Sequence, residues 1–584
     1  MSSGRLPVHT TQDPQVRRVE RVAWVAAAVL FAVHSWVYRY EMVNLDGISY
    51  LELAWAWREG RWTDAINGYW SPMYPWLLAV FLGLFDPGPA AEYPTVHAAN
   101  TAAGLIALGA FTYLVRGLAS TDSPDGVRMP APFRAAVAYA LFIWASIVML
   151  VVWMESPDML LATFIFLTAG ALARIAQGDE RLRHFALLGA GIGLGYLTKS
   201  AMLPIGGLFF LGLLAIVVRR RAWAGVVASG TIAALLVLPW ALTLSLSRGK
   251  LTFGETGRIN YVWFVNGSEN WPQEWPRHWP HWSGDPANGS PRHPARRLNE
   301  DPAVYEFAGP VGGTYPMWYD VSVWYEGVRT YFDPADQVRR LKISVQDLYA
   351  NFTRNPDNPD LFNPQPALLG VLLMTAGVMW RSGSARAFLR WWPCWIPALA
   401  AIGMYAVVYI EPRYIGAFVV LLWLFAVQSL QSSSDSETHH RVMKACGATM
   451  VGVLCVPVLM ATGFETYGPA RRLLRGETDR EHNSWLTASR MQQEGVKAGD
   501  PIAIAGSAQV ATRWAHLARV RIIAEVPLSD AAKLWSDAAA RETATEALRR
   551  AGAHWVVLED RGIGTTLPDW RRVSGTPYVL KDLR

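Results

Sequence analysis

Hydrophobic positions along this chain fall in long unbroken runs rather than alternating with polar ones. The runs lie near 22–40, 94–116, 133–153, 157–175, 184–199, 201–218, 222–245, 366–381, 391–409, 413–429 and 444–462. Apolar stretches of about 20 residues suit helices that cross a bilayer. The pattern predicts about eleven transmembrane helices in a mainly α membrane protein. Short polar clusters punctuate them: VNLDGISYLELAWAWREG (43–60), WMESPDMLL (153–161), GYLTKSAMLP (195–204) and YIEPRYIG (409–416). The stretch YWSPMYPWLLAVFLGLF (69–85) is also apolar. Reading it as a span inverts every later loop, and its prolines and aromatic belt suit a helix lying on the outer interface.

Two long segments break the pattern. Residues 247–365 form a large loop rich in Trp, Pro, Gly, His and Asn, with YVWFVNGSENWPQEWPRHWPHWSG (261–284) and GTYPMWYD (313–320) as its most aromatic parts. Residues 465–584 are soluble in composition and alternate strand and helix: DPIAIAG (500–506), a helix, VRIIAEV (520–526), a helix over 530–551, AHWVVLED (553–560) and a terminal strand. Such alternation predicts a small α/β domain. No glycine-rich phosphate loop opens its first helix, which argues against a nucleotide site. The expected organisation is a cytoplasmic segment 1–21, a transmembrane domain 22–464 containing the outer loop 247–365, and an extracytoplasmic α/β domain 465–584.

Composition changes this picture little. Of 584 residues 52% are hydrophobic and 17% charged, and the mean hydropathy is +0.15. The 28 Trp and 21 Tyr suit membrane interfaces and sugar-facing surfaces. The net charge of +6 reflects basic loops and implies no nucleic-acid partner. Arg5, Arg17, Arg18 and Arg21, then Arg116, Arg128 and Arg134, then Arg174, Arg181 and Arg183, then Arg219–Arg221, then Arg381, Arg386 and Arg390, then Arg441 and Lys444 mark alternate loops as cytoplasmic. Asp46, Glu155, Asp158, Lys199 and Arg413 then share the outer side. Arg39 is the exception and is expected to snorkel to the outer interface. Cys394, Cys446 and Cys455 lie in apolar segments and imply neither disulfides nor a thiolate metal site. The N-terminus has no cleavable-signal pattern and reads as a retained anchor.

Ionisable groups at a bilayer boundary are costly and mark function. Their order here is an Asp in the first outer loop (Asp46), an interfacial W-S-P-x-Y-P (70–75), a Pro157-Asp158 pair opening a span, an L-T-K-S turn (197–200) and an E-x-R-Y turn (411–414). In this order the chain, over roughly 20–430, resembles the polytopic GT-C glycosyltransferases. The nearest branch is the family that includes bacterial protein mannosyltransferases and lipid A aminoarabinose transferases (glycosyltransferase family 39-like). The long Trp-rich loop and the α/β tail depart from that pattern and leave the acceptor open.

The resemblance implies a polyprenyl-phosphate sugar as donor and an extracytoplasmic glycan, lipid or protein as acceptor. Attack at an anomeric carbon needs a base, and a carboxylate serves. Asp46 is the candidate; its structural alternative is a helix N-cap for 49–60. A lipid phosphate leaving group needs charge more than a proton, which Arg413 and Lys199 supply unless they only snorkel. Tyr414 either faces substrate or packs in the aromatic belt. Glu155 and Asp158 either orient substrate or, for Asp158, cap the following helix. Asp158 with Asp46 also offers hard oxygen ligands to Mg²⁺ or Mn²⁺. No His/Cys spacing demands a metal, although His278, His281 and His293 lie in the Trp-rich loop. Trp271, Trp275, Trp279 and Trp282 either stack on sugar, meet lipid or pack within the loop. Asn266-Gly-Ser and Asn351-Phe-Thr match the glycosylation sequon, a pattern that chance supplies freely.

The expectation is an inverting-type membrane glycosyltransferase, a hexosyl- or pentosyltransferase of a bacterial inner membrane, working among membrane lipids on the periplasmic side. The rival is a transporter or flippase of a lipid-linked saccharide, which calls for paired halves and broken helices near the midplane. A third is an envelope protein whose outer domain only binds.

Overall fold

The structure is a computed structural model describing residues 13–118, 127–267, 289–293, 295–355, 358, 360–378, 384–432, 436–475, 484–560 and 567–584. Arg5, Trp271, Trp275, Trp279, Trp282, His278, His281 and Arg381 lie outside the described residues.

The principal helices are α1 (Pro14–Val37), α2 (Asp46–Arg58), α3 (Met73–Phe85), α4 (Pro89–Leu118), α5 (Ala131–Trp144), α6 (Asp158–Ala176), α7 (Leu182–Thr198), α8 (Met202–Arg220), α9 (Trp223–Arg248), α10 (Pro334–Thr353), α11 (Gln365–Val378), α12 (Trp392–Val408), α13 (Pro412–Gln428) and α14 (Glu437–Leu474). Helix α5 continues as a π-helical turn through Ala145–Met149. Six of these, α4, α5 with that turn, α6, α8, α9 and α14, are long and apolar enough to cross a membrane; a seventh forms if Ser384–Arg390 and α12, bent by 77°, act as one span. The chain is an integral membrane protein. The other expected runs also fall on helices, but several are short: α7 and α13 have 17 residues and α11 has 14. The expected count of about eleven spans therefore exceeds the six or seven that length and apolarity support. Helix α3 has only 13 residues, a rise of about 20 Å against about 30 Å of hydrocarbon.

Without a hydrophobic drive between helices in lipid, small residues let backbones meet and hydrogen bonds join them. Gly189 of α7 sits where an added Cβ would lie 2.3 Å from the Ser229 carbonyl of α9, and Ser229 Oγ donates to the Phe185 carbonyl at 2.6 Å. Near the other end of the bundle, Asn100 of α4 donates to the carbonyls of Trp153 and Met154, both at 3.1 Å, and accepts from Tyr74 at 2.7 Å. This pins the turn between α5 and α6. The turn needs pinning, because Val151 holds φ +51°, a region costly for a β-branched residue.

The C-terminal region folds as a seven-stranded sheet. Its strands are β1 (Arg296–Asn299), β2 (Val304–Glu306), β3 (Pro501–Gly506), β4 (Arg521–Pro527), β5 (Trp555–Glu559), β6 (Arg571–Arg572) and β7 (Tyr578–Asp582). Their order is β1-β2-β4-β3-β5-β7-β6. Strand β3 is central and pairs in parallel with β4 and β5, while the outer pairs are antiparallel. Helices α15 (Ala508–Leu517) and α16 (Ala538–Arg550) make the crossovers. The strands over 501–506, 521–527 and 555–559 follow the alternation in sequence. The hairpin β1-β2 does not: it comes from the large loop 247–365, where no strand is expected, and completes the sheet edge beside β4 through Tyr305 and Glu306.

Candidate active site

Four helix ends converge. Asp46 opens α2, Asp158 opens α6, Lys199 follows α7, and Arg413 with Tyr414 lies in the first turn of α13. Carboxylates are favoured at helix N-termini and cations at C-termini, so Asp46, Asp158 and Lys199 each suit their place. Arg413 sits at an N-terminus against the dipole, and Glu411 just before the helix offsets this by taking the Arg413 Nε–H.

Lys199 Nζ donates to Asp158 Oδ1 at 2.8 Å and lies 3.7 Å over the Tyr414 ring. The Arg413 terminal nitrogens stand 3.9 Å from Asp46 Oδ2 and 3.9 Å from Asp158 Oδ2. These gaps exceed the 2.7–3.2 Å of a direct N–H···O bond. The remaining Arg413 contacts are long: 3.7 Å to Met154 Sδ and 3.4 Å to the Tyr414 hydroxyl. One edge of the guanidinium is thus anchored by Glu411, and the two terminal nitrogens keep capacity for a ligand. Asp158 Oδ2 is buried with no hydrogen-bond partner. The Asp158 side chain is 1% exposed, Arg413 15% and Asp46 23%, so Asp46 and Arg413 form the reachable edge.

Asp46 does not cap its helix. Leu45 holds the N-cap position without a side-chain bond, and Asn44 Oδ1 accepts the Asp46 amide at 3.1 Å. Its carboxyl is held above the ordinary range, chiefly by loss of water, while Arg413 and Lys199 pull it back down. Asp158 likewise makes no cap and bonds Lys199 instead.

Glu155 is fully buried. It accepts the Asn44 amide at 2.9 Å, its own carbonyl accepts the Asn44 side-chain amide at 3.2 Å, and His97 Nε2 lies 3.3 Å from Oε1. Burial pushes its carboxyl up to about 8. It thus ties the α5–α6 turn to the residues before Asp46. Gly47 packs here so closely that an added Cβ would lie 2.6 Å from Glu155 Cβ.

A divalent cation does not fit between Asp46 and Asp158, because Arg413 lies near both and Lys199 is bonded to Asp158. Among the described residues no group of three His, Cys, Asp or Glu could hold a metal. His293 pairs with Glu326 at 3.2 Å. Asn266 and Asn351 donate their amides to the carbonyls of Tyr331 and Asp347, both at 2.8 Å.

Sequence reasoning missed two members of this site. Glu411 aims Arg413, and the Glu-Pro-Arg spacing was its signal. Tyr409 donates to Glu411 Oε1 at 2.9 Å and stacks on Phe264 with centroids 4.0 Å apart, a contact with no local signature.

No protein-family profile and no curated protein sequence matches the chain. Among solved structures it is similar to ArnT from Cupriavidus metallidurans in the apo state, at 13% identity and TM-score 0.49, over 97% of this chain and 98% of that one. The same figures hold for ArnT from Cupriavidus metallidurans bound to undecaprenyl phosphate. It is also similar to the Archaeoglobus fulgidus oligosaccharyltransferase in complex with Zn and sulfate, at 12% identity and TM-score 0.48, over 92% of this chain and 68% of that one.

Proposed function

We propose that this protein is an inverting membrane glycosyltransferase that takes a sugar from a polyprenyl-phosphate donor and passes it to an extracytoplasmic glycan, lipid or protein. The observation that carries the reading is the Arg413 guanidinium beside Asp46, fixed at Nε by Glu411 and making only long contacts from its two terminal nitrogens. A forked cation held this way suits a phosphate oxygen pair. A carboxyl with raised proton affinity stands next to it, as a general base requires.

In this reading Asp46 takes the proton from the acceptor hydroxyl as its oxygen attacks the anomeric carbon. The bond from that carbon to the phosphate oxygen breaks, and the electron pair leaves with the lipid phosphate. Arg413 and Lys199 meet the charge that develops there, and Tyr414 sets the position of both cations. Asp158 holds Lys199 in place. Glu155 acts one step back, by fixing Asn44 and hence Asp46. All the charges sit at one end of the helices, which suits surface chemistry better than transit through a midplane site.

The same reading gives residues 1–21 to the cytoplasm, 22–464 to about eleven spans with their outer loop, and 465–584 to the periplasmic side of a bacterial inner membrane. The test is binding of undecaprenyl phosphate to the purified protein in nanodiscs, followed by sugar transfer from an undecaprenyl-phosphate-linked donor. Binding lost on Arg413→Ala and transfer lost on Asp46→Asn support the reading; a wild-type protein that ignores the lipid phosphate overturns it.

A further inference from the structure

The C-terminal domain reaches the helix that carries Asp46 from two sides. From α15, Arg513 donates to the Val43 carbonyl at 3.3 Å, in the stretch that leads into Asp46. Tyr93 of α4 donates its hydroxyl to the Arg513 carbonyl. One turn along α15, His516 Nδ1 lies 3.2 Å from Glu52 Oε1 of α2, and its Nε2 lies 2.9 Å from Glu92 Oε1 of α4. Arg519 completes the cluster, 2.9 Å from Glu92 Oε2 and 3.2 Å from His516 Nε2. Trp55 of α2 donates its indole N–H to Glu92.

Glu52 is shared once more, by the amide of Thr314 at 2.8 Å. Thr314 is joined to the sheet, since its carbonyl accepts the Ile522 amide at 2.7 Å. Neighbouring Gly313 takes φ +84°, and an added Cβ would lie 2.8 Å from Glu52 Oε2. His516 and Glu92 are buried, and two carboxylates face two cationic groups. Buried charges of this kind are strongly destabilising when one partner is removed, because the other is left uncompensated.

We infer that α15 is a strut: Arg513 and His516 are positioning residues that hold α2, and with it Asp46, in register with Arg413, so that the C-terminal domain forms part of the working site. The inference rests on the assignment of Asp46 as the reacting base, but the strut has a physical readout of its own. Leu45 at the N-cap of α2 makes no side-chain cap bond; Glu155 holds Asn44 just before the helix, Ser49 of its first turn donates to the Trp318 carbonyl, and α15 grips Val43 and Glu52 on either side of that turn.

The experiment is amide hydrogen exchange on the full-length protein in nanodiscs, comparing residues 44–58 with 158–176 in wild type, His516→Ala, Arg513→Ala and Arg513→Lys. The expected result is exchange over 44–58 faster by about tenfold or more in both alanine variants, unchanged exchange over 158–176, and partial restoration in Arg513→Lys. Unchanged exchange over 44–58, or an equal rise over both segments, overturns the strut. If His516→Ala does not fold, the Arg513 pair decides alone. Undecaprenyl phosphate binding is read on the same samples and is expected within about twofold of wild type, since Arg413 is untouched. Loss of binding in the folded variants overturns a role confined to α2. Failure of wild type to bind sinks the glycosyltransferase reading while the exchange result still decides the strut.

Discussion

Arg413 stands 3.9 Å from Asp46 Oδ2, too far for a hydrogen bond and close enough for each to set the other's electrostatics. At about 4 Å the attraction is several-fold stronger in a partly desolvated site than in water. Neither group satisfies the other, so a ligand oxygen seated beside the pair can bond to both. An acceptor hydroxyl and a donor phosphate brought to this point meet a base and a forked cation on opposite sides.

Asp46→Asn should abolish transfer while the protein folds and still binds undecaprenyl phosphate. The amide keeps the shape, and no capping bond is lost because Asp46 makes none. Removing a positioned base costs about 10²–10⁴-fold in rate. Near-normal turnover in a transfer assay would remove Asp46 from the chemistry.

Arg413→Lys should weaken undecaprenyl phosphate binding, and Arg413→Ala should weaken it further. Lysine keeps the charge but loses the fork and the Nε–H that Glu411 accepts. An arginine that only meets headgroups would be fully replaced by lysine. Titrating the lipid phosphate against the three proteins separates the two roles, and equal affinity in all three excludes a phosphate ligand.

Glu155→Gln should keep stability within about 1 kcal/mol at neutral pH, whereas Glu155→Ala should cost about 1–3 kcal/mol. With its carboxyl pushed up to about 8 by burial, Glu155 is mostly neutral at pH 7, so glutamine preserves both charge and the acceptor for Asn44. Thermal unfolding in detergent checks the order; a glutamine variant as weak as alanine would mean that Glu155 works as an anion.

The strut should loosen in alkali. Burial alone lowers a histidine, but Glu92 and Glu52 override it and raise His516 from an ordinary 6.5 to about 9. Because the folded value lies above the unfolded one, the contribution is full below about 6.5 and is lost as pH rises through about 9. The groups facing His516 are Glu52 on α2, Glu92 on α4 and Arg519 after α15. The shift corresponds to roughly 3 kcal/mol. Stability of wild type should fall between pH 7 and 10 more steeply than that of His516→Gln; parallel curves would leave the imidazole without charge in this cluster.

A reporter fused after Arg584 should be active only outside the cytoplasm, because the alternating basic loops place the last domain there when 69–85 does not span. Alkaline phosphatase fused there should be active and a fluorescent protein that matures only in the cytoplasm should be dark; the reverse pattern would invert the orientation.

Much of the architecture follows from local sequence. A helix in lipid must be apolar over its length, so the runs declare themselves without reference to neighbours. Strands over 501–506, 521–527 and 555–559 announce themselves by β-branched runs between turns. Asp46, Asp158, Lys199 and Arg413 could be singled out because charge beside an apolar run is costly.

Tertiary structure decided what those residues do to each other. Lys199 could have snorkelled; instead it bonds Asp158 across 41 positions of sequence. Asp46 and Asp158 could have shared a cation, but Arg413 took the place between them. The hairpin 296–306 belongs to a sheet whose other strands begin at Pro501, and His516 meets Glu52 from 464 positions away. Periodicity records which face of an element avoids water and nothing about which element covers it. Hydrogen bonds and ion pairs between distant segments depend on angstrom-scale placement, and only packing of the whole chain supplies that.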